Sequence, residues 1–99
     1  MSGGRRIRCQ WLTAAWRQGE TGTARLGLAI SRKAAASAVQ RNRIKRTIRE
    51  AFRQQSLPPV DLVFTARPRA DRASAEELRH DLAGIWQRLN DGVRKSTTA

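Results

Sequence analysis

The spacing of apolar residues predicts two strands in the first third of the chain. Apolar and polar positions alternate over residues 5–16 and again over 24–31, which is typical of strands with one buried face. The apolar faces are Ile7, Cys9 and Trp11 in the first strand, and Leu26, Leu28 and Ile30 in the second. Turn residues occupy 19–22, so the two strands are predicted to pair as an antiparallel hairpin with a loose loop.

The period of the pattern then changes from that of a strand to that of a helix. Over residues 36–54 one apolar stripe is formed by Ile44, Ile48, Ala51 and Phe52. Pro58 and Pro59 break this helix. Residues 60–66 are almost continuously apolar, which favours a strand in the interior of the sheet, and Pro68 ends it.

The last predicted element is an amphipathic helix. Ser74 can cap it, and Glu77 three residues later completes a capping box. Its apolar stripe, which must pack on another surface, is Leu78, Leu82, Ile85, Trp86 and Leu89. The predicted order is β-β-α-β-α, an α+β sandwich of two layers in which the helices cover a small sheet.

Composition limits the possible classes of protein. The 99 residues allow one domain, and 20 Lys and Arg against 8 Asp and Glu give a net charge of +12. Cys9 is the single cysteine, so neither an intrachain disulfide nor a cysteine-based zinc site is expected. There is no signal-peptide pattern and no apolar run long enough for a bilayer, so we expect a cytoplasmic protein without membrane contact. A charge this large indicates a polyanionic partner, most often nucleic acid.

The positive charge is concentrated in one part of the chain. Residues 25–53 carry nine basic residues and one acid, Glu50, which is +8 of the total +12. On a helix, one side opposite the apolar stripe collects Asn42, Lys45, Arg46, Arg49 and Arg53. These cations repel one another, and the eight acids of the chain cannot neutralise them all, whereas an external polyanion could. The alternative is a merely solvated helix face.

Other basic residues are predicted near the start of the same helix. Arg32 and Lys33 follow the second strand, and cations beside helix N-terminal N–H groups make a phosphate site. Arg41 falls at the edge of the apolar stripe, so either the helix starts after it or its side chain faces a cleft.

The residues do not indicate catalysis by side chains. His80 is the single histidine and lies on the polar side of the last helix. Glu76, Glu77 and Asp81 lie near the start of that helix, where its dipole favours acids. Cys9 and Trp11 are interpreted as core residues, with stacking of Trp11 on a base as the alternative.

Two segments closely resemble the signature of the bacterial ribonuclease P protein subunit. They are residues 27–33 (GLAISRK) and residues 38–52 (AVQRNRIKRTIREAF), and the similarity extends over about residues 5–90. The residues that match the family's motif are Lys33, Arg41, Asn42, Arg43, Lys45, Arg46 and Arg49. Arg32 stands where the family often has a second lysine.

The resemblance implies both a fold and a function. The fold is similar to the second domain of ribosomal protein S5, with a left-handed β-α-β crossover. The implied holoenzyme is an endoribonuclease that removes the 5′ leader from precursor tRNA, and a catalytic RNA with Mg²⁺ performs the chemistry. The protein, one monomer in the complex and without a metal site of its own, would bind that RNA through the basic loop and helix. It would hold the leader in a cleft beside the sheet.

The resemblance also predicts the organisation of the chain. We expect residues 1–4 to be a disordered N-terminus, 5–90 a single RNA-binding domain and 91–99 a disordered basic tail. Relatives usually have a helix and a strand before the part that matches residues 2–7, so a first helix and strand are expected to be absent. Of a miscalled start codon, a fragment and a minimal variant, the first is favoured.

Two rival functions are compatible with the residues. One is a general structured-RNA-binding or ribosome-associated protein without processing activity. The other is a basic amphipathic helix that binds an anionic membrane or an acidic partner helix.

Overall fold

The computed structural model describes residues 5–19 and 22–97, the last four of them by their backbone alone. It confirms a two-layer α+β sandwich in which a four-stranded sheet carries two helices on one face. The elements are β1 (Arg5–Arg8), β2 (Leu12–Gln18), β3 (Arg25–Ala29), α1 (Ala38–Arg53), β4 (Val60–Ala66), a 3₁₀ turn (Ala70–Arg72) and α2 (Ala75–Thr97).

The single strand predicted over residues 5–16 is wrong. The segment forms two antiparallel strands, β1 and β2, in which Arg5 pairs with Trp16 and Arg8 with Thr13. The N–H of Cys9 donates to the carbonyl of Leu12 at 2.8 Å and closes the turn between them. Alternation continues through this turn without a glycine or proline, so the pattern did not show it. The described residues therefore form four strands, where the pattern predicts three.

The predicted pairing of the first strands is also corrected. The sheet order is β1-β2-β4-β3, so β2 pairs with β4 and does not pair with β3. β3 and β4 are parallel and are connected through α1 by a β-α-β crossover. β4 is an interior strand, as its apolar run predicts. Because β3 and β4 are parallel, their carboxyl ends lie at the same edge of the sheet.

The helices are capped and packed as their sequence pattern predicts. The Ser37 hydroxyl accepts the N–H of Gln40 at 3.1 Å and starts α1, whose Ile44 and Ile48 are fully buried. At the start of α2, Ser74 and Glu77 exchange reciprocal hydrogen bonds of 3.0 and 3.1 Å. The stripe of α2 is buried against the sheet and contributes Leu78, Leu82, Ile85, Trp86 and Leu89.

Beyond Asn90, α2 continues to Thr97, so the part of the predicted tail that the structure describes is helical. Residues 1–4 and 98–99, also predicted to be disordered, lie outside the described residues. No helix in the described part of the chain is long and apolar enough to cross a membrane.

Gly92 sets how closely α2 approaches the sheet. A Cβ at this position would lie 2.7 Å from Cζ2 of Trp16, a buried side chain of β2. At Gly84, on the same helix, a Cβ would meet no atom within 4 Å. The two glycines therefore form a matched pair that differs only in contact with the sheet.

We expect Gly92→Ala to destabilise the protein and Gly84→Ala to stabilise it. Alanine in place of glycine favours a helix by about 0.8–1 kcal/mol, while overpacking a core typically costs about 1–3 kcal/mol. Urea unfolding of the two variants measures the difference. Equal stabilisation by both substitutions would show that α2 does not press on Trp16.

Candidate nucleic-acid interface

The outward side of α1 carries cations that no acid of the protein neutralises. We define its basic face as Asn42, Lys45, Arg46, Arg49 and Arg53. All are exposed except Lys45, which is half-buried. Within residues 5–19 and 22–97, none of these four cations forms an ion pair. The structure thus confirms that the residues grouped by the helical spacing lie together on one side of α1.

Arg41 is directed differently from the basic face. Its Nη1 donates to the carbonyls of Ala35 and Ala36 at 3.0 and 2.9 Å. The helix starts at Ala38, before Arg41, so the half-buried side chain folds back over the preceding loop. Of the two predicted alternatives, the later helix start is therefore wrong.

Arg43 is held by three hydrogen bonds within the protein. Its Nε donates to Oε1 of Gln40 at 2.7 Å, and its Nη2 donates to the carbonyls of Asp71 and Ala73 at 3.1 and 3.0 Å. Two of the nine predicted RNA-binding residues thus have their guanidinium groups directed at protein acceptors. A helical projection could not reveal this, because the carbonyls are 28 and 30 residues away.

Arg32 and Lys33 are exposed in the loop that joins β3 to α1. The N–H of Arg69 donates to the carbonyl of Lys33 at 2.9 Å, and the N–H of Asp71 donates to the carbonyl of Ala34 at 3.0 Å. This loop is therefore joined to the segment after β4, and Arg69 lies next to Lys33. Arg69 has a φ of 65°, the left-handed region that non-glycine residues rarely adopt.

The face of the sheet opposite the helices has a shallow floor without charged side chains in its middle. The alternation along the central strands directs small and aliphatic residues to this part of the face, and Val63 is 45% exposed. A cavity of about 530 Å³ lies over it. Its floor is formed by Thr13, Ala15, Val63 and Thr65, and Arg6, Arg8 and Arg67 stand around it. We call this surface the open sheet face; the residue pattern alone did not single it out.

Asp61 is the one acid on the described part of the open sheet face. Its carboxylate lies 3.6 Å from Nε of Arg17 and 3.8 Å from Nε of Arg25, on the neighbouring strands. These cations therefore have an acidic partner, and Arg17 and Asp61 line a second cavity of about 330 Å³ together with Arg6.

Two acids of α2 have structural roles, whereas Glu76 is exposed. Asp81 is buried and accepts the N–H groups of Trp11 and Leu12 at 2.7 and 3.2 Å. The N–H of Ser74, bonded to the Glu77 carboxylate, holds the pKa of Glu77 below its ordinary value. His80 is exposed, as predicted.

Cys9 and Trp11 lie in the β1–β2 turn and not on a buried strand face. Both are half-buried and pack against the core, and Nε1 of Trp11 donates to Oε2 of Glu77 at 3.4 Å. Burial raises the pKa of the Cys9 thiol; the charge of Asp81 raises it further, and Arg88 lowers it. In the part of the chain that the structure describes, no three His, Cys, Asp or Glu side chains are grouped to hold a metal ion.

Fold and surface together define a class, that of small, strongly basic α+β domains with a surface complementary to a polyanion. The chain belongs to the Ribonuclease P protein family, which matches it over residues 1–90. The predicted resemblance is confirmed.

Individual relatives agree with this assignment. The ribonuclease P protein component of Chromohalobacter salexigens is 44% identical over 80 residues, which cover 79% of this chain and 62% of that protein. That of Legionella pneumophila (strain Corby) is 43% identical over 74 residues, covering 75% of this chain and 65% of the relative. The chain thus spans less than two thirds of the length of these relatives.

Solved structures of the family have the same fold. The Staphylococcus aureus RNase P protein matches with a TM-score of 0.77 and 26% identity, over 85% of this chain and 79% of that one. The Thermotoga maritima RNase P protein matches with a TM-score of 0.75 and 25% identity, over 86% of this chain and 83% of that one.

Proposed function

We propose that this chain is the protein component of a ribonuclease P ribonucleoprotein, which removes the 5′ leader from precursor tRNA. The observation that carries the proposal is the basic face of α1, whose cations have no acidic partner among the described residues. It lies on the helix that carries the Arg-Asn-Arg core of the family signature, and membership of the family supports the same role.

The basic face and the adjoining loop would bind the catalytic RNA. Arg46, Arg49 and Arg53 are exposed and spaced along one side of α1, so each can neutralise a backbone phosphate. Each neutralised phosphate releases condensed counterions, which drives binding and makes it depend on salt. Arg32 and Lys33 extend the same positive surface past the N-terminus of α1.

The open sheet face would hold the single-stranded leader. Its floor lacks charged side chains and accommodates the bases, while Arg6, Arg8 and Arg67 stand where phosphates can reach them. Small floor residues such as Ala15 and Thr13 allow close approach of a strand without reading its sequence. We expect leader binding to tolerate changes of sequence.

The protein's part in the reaction would be binding and positioning. Two of the three acids near the start of α2 are committed to the fold: Asp81 is buried under the β1–β2 turn, and Glu77 caps α2. This commitment supports a division of labour in which the catalytic RNA, with Mg²⁺, hydrolyses the phosphodiester. In this proposal the Mg²⁺ acts with the catalytic RNA, and the protein's residues take no metal-dependent step. In this proposal one protein monomer acts in each complex, in the cytoplasm.

Reconstitution tests the proposal. The chain is mixed with a ribonuclease P catalytic RNA from a related bacterium, at an Mg²⁺ concentration at which that RNA alone does not cleave precursor tRNA. We expect cleavage at the leader junction to be restored, and a double variant, Arg46→Gln with Arg49→Gln, to restore less. Binding of the RNA without restored cleavage would instead support a general RNA-binding protein.

Asp61 is expected to weaken RNA binding in the native protein. It adds negative charge to the open sheet face and pairs with Arg25. Asp61→Asn should tighten binding of precursor tRNA by up to roughly sixfold, the contribution of one phosphate contact near 0.1 M salt. Stability should change by about 1 kcal/mol or less, because both cations paired with Asp61 are exposed and Oδ1 of Asp61 is buried without a hydrogen-bond donor.

Titration by fluorescence anisotropy with a leader-containing tRNA measures this effect. Glu76→Gln, which removes an exposed acid from the start of α2, serves as the control and should change affinity less. Equal tightening by both variants would show that only net charge matters and not the position of Asp61.

A further inference from the structure

We propose that Arg41 and Arg43 position the RNA-binding surface and do not themselves contact RNA phosphates. This inference rests on the proposed function, and it separates the cations of the Arg-Asn-Arg segment into two groups. Arg46, Arg49 and Arg53 are exposed, whereas the guanidinium groups of Arg41 and Arg43 are directed at acceptors of the protein.

The two side chains are held by hydrogen bonds within the protein. Arg43 makes three hydrogen bonds of 2.7–3.1 Å from Nε and Nη2, and Arg41 makes two of 2.9–3.0 Å from Nη1. Bonds from a charged donor are roughly twice as strong as neutral ones. Both side chains are also half-buried. A phosphate that took the place of these carbonyls would leave them without a donor.

The hydrogen bonds of Arg43 also join separate segments of the chain. Arg43 fixes the carbonyls of Asp71 and Ala73, and the N–H of Asp71 donates in turn to the carbonyl of Ala34. The neighbouring N–H of Arg69 donates to the carbonyl of Lys33. The loop after β3 and the segment after β4 are therefore joined to α1 through Arg43. This arrangement places Lys33 beside Arg69.

Arg41 completes the arrangement from the other side of the loop. Its guanidinium covers the carbonyls of Ala35 and Ala36, just before the start of α1. Uncovered carbonyl oxygens at this point would repel a phosphate that approaches the N–H groups of the helix. Because the carbonyls of Ala35 and Ala36 accept hydrogen bonds from Arg41, they do not repel an anion bound at Arg32 and Lys33.

The salt dependence of RNA binding distinguishes the two roles. The slope of log affinity against log salt counts neutralised phosphates, so losing one direct contact reduces the slope by roughly 0.7–0.9. Losing a positioning residue leaves the count unchanged but lowers affinity at every salt concentration. The RNA for this measurement is a ribonuclease P catalytic RNA from a related bacterium.

Arg43→Gln and Arg46→Gln form the matched pair of variants. We expect Arg46→Gln to reduce the slope by about one contact. We expect Arg43→Gln to leave the slope unchanged and to weaken binding roughly fivefold, because loop side chains must then be ordered on binding. Arg41→Gln should behave like Arg43→Gln. A reduced slope for Arg43→Gln, equal to that for Arg46→Gln, would overturn the inference.

Lysine variants give a second and independent test. Lysine keeps the charge but cannot reproduce the planar fork of arginine. Arg46→Lys should bind almost as the native protein does, whereas Arg43→Lys should bind as weakly as Arg43→Gln. Full affinity of Arg43→Lys would overturn the inference. If Arg43→Gln does not fold, the comparison of Arg43→Lys with Arg46→Lys serves as the test in its place. Circular dichroism of each variant gives the folded fraction to which affinities are referred.

Failure of the inference differs from failure of the proposed function. If Arg46→Gln and Arg49→Gln leave both affinity and slope unchanged, α1 is not the RNA interface and the proposed function is wrong at this site. If all four arginine variants reduce the slope, the interface stands and only the positioning role of Arg41 and Arg43 is rejected.

Discussion

Replacing Arg46 and Arg49 together by glutamine is expected to weaken binding of the catalytic RNA about fortyfold near 0.1 M salt, since each lost phosphate contact costs roughly sixfold there. The two side chains are exposed on one side of α1, and neither has an ionic partner in the described part of the protein. Their removal also relieves like-charge repulsion along the helix. Stability should therefore be kept or slightly increased.

A filter-binding titration across a range of salt concentrations measures this effect. Each single variant should reduce the slope by roughly 0.7–0.9, and the double variant by about twice as much. Arg79→Gln removes one exposed cation from α2, outside the basic face, and serves as the control. If Arg79→Gln costs as much as Arg46→Gln, binding depends on net charge and the basic face is not the interface.

Asp81→Ala is expected to destabilise the fold by roughly 2–5 kcal/mol, because two buried or half-buried N–H groups lose a charged acceptor. The carboxylate of Asp81 accepts from Trp11 and Leu12, at the turn between β1 and β2. The backbone N–H groups of Trp11 and Leu12 then lose their hydrogen bonds to α2.

Urea unfolding followed by tryptophan fluorescence measures the loss. His80→Ala changes the neighbouring exposed residue of α2 and should alter stability by less than about 0.5 kcal/mol. If the two variants have the same stability, the turn holds its shape without Asp81. Natural domains have about 5–15 kcal/mol of stability in total, so Asp81→Ala should remove a large fraction of it.

The sequence predicts the elements whose causes are local. The capping box of Ser74 and Glu77, the stripe of α1 and the interior strand β4 depend on residues a few positions apart, and the structure confirms all three. The sequence pattern does not predict the β1–β2 turn, because the hydrogen bonds from Trp11 and Leu12 to Asp81 join residues far apart in the chain. Asp81 lies 70 residues from Trp11 along the chain, and no spacing pattern records such a pair.

In the candidate site, too, local features are predicted from the sequence and non-local contacts are not. The exposure of the basic face follows from helical spacing, and the structure confirms that these side chains lie together on one side of α1. RNA binding by them stays a prediction. The hydrogen bonds of Arg43 could not be predicted, because their carbonyl acceptors belong to a segment that tertiary contacts bring to the helix. The handedness of the crossover is likewise expected from the family and not from periodicity.

The late position of β4 in the chain has a consequence for synthesis. β4 pairs with both β2 and β3, and β3 has no other partner among the described strands. A nascent chain that ends before Val60 therefore exposes an unpaired β3 and an α1 whose apolar stripe lacks its sheet. We expect such a fragment to remain unfolded and to acquire structure only when a peptide spanning β4 and α2 is added.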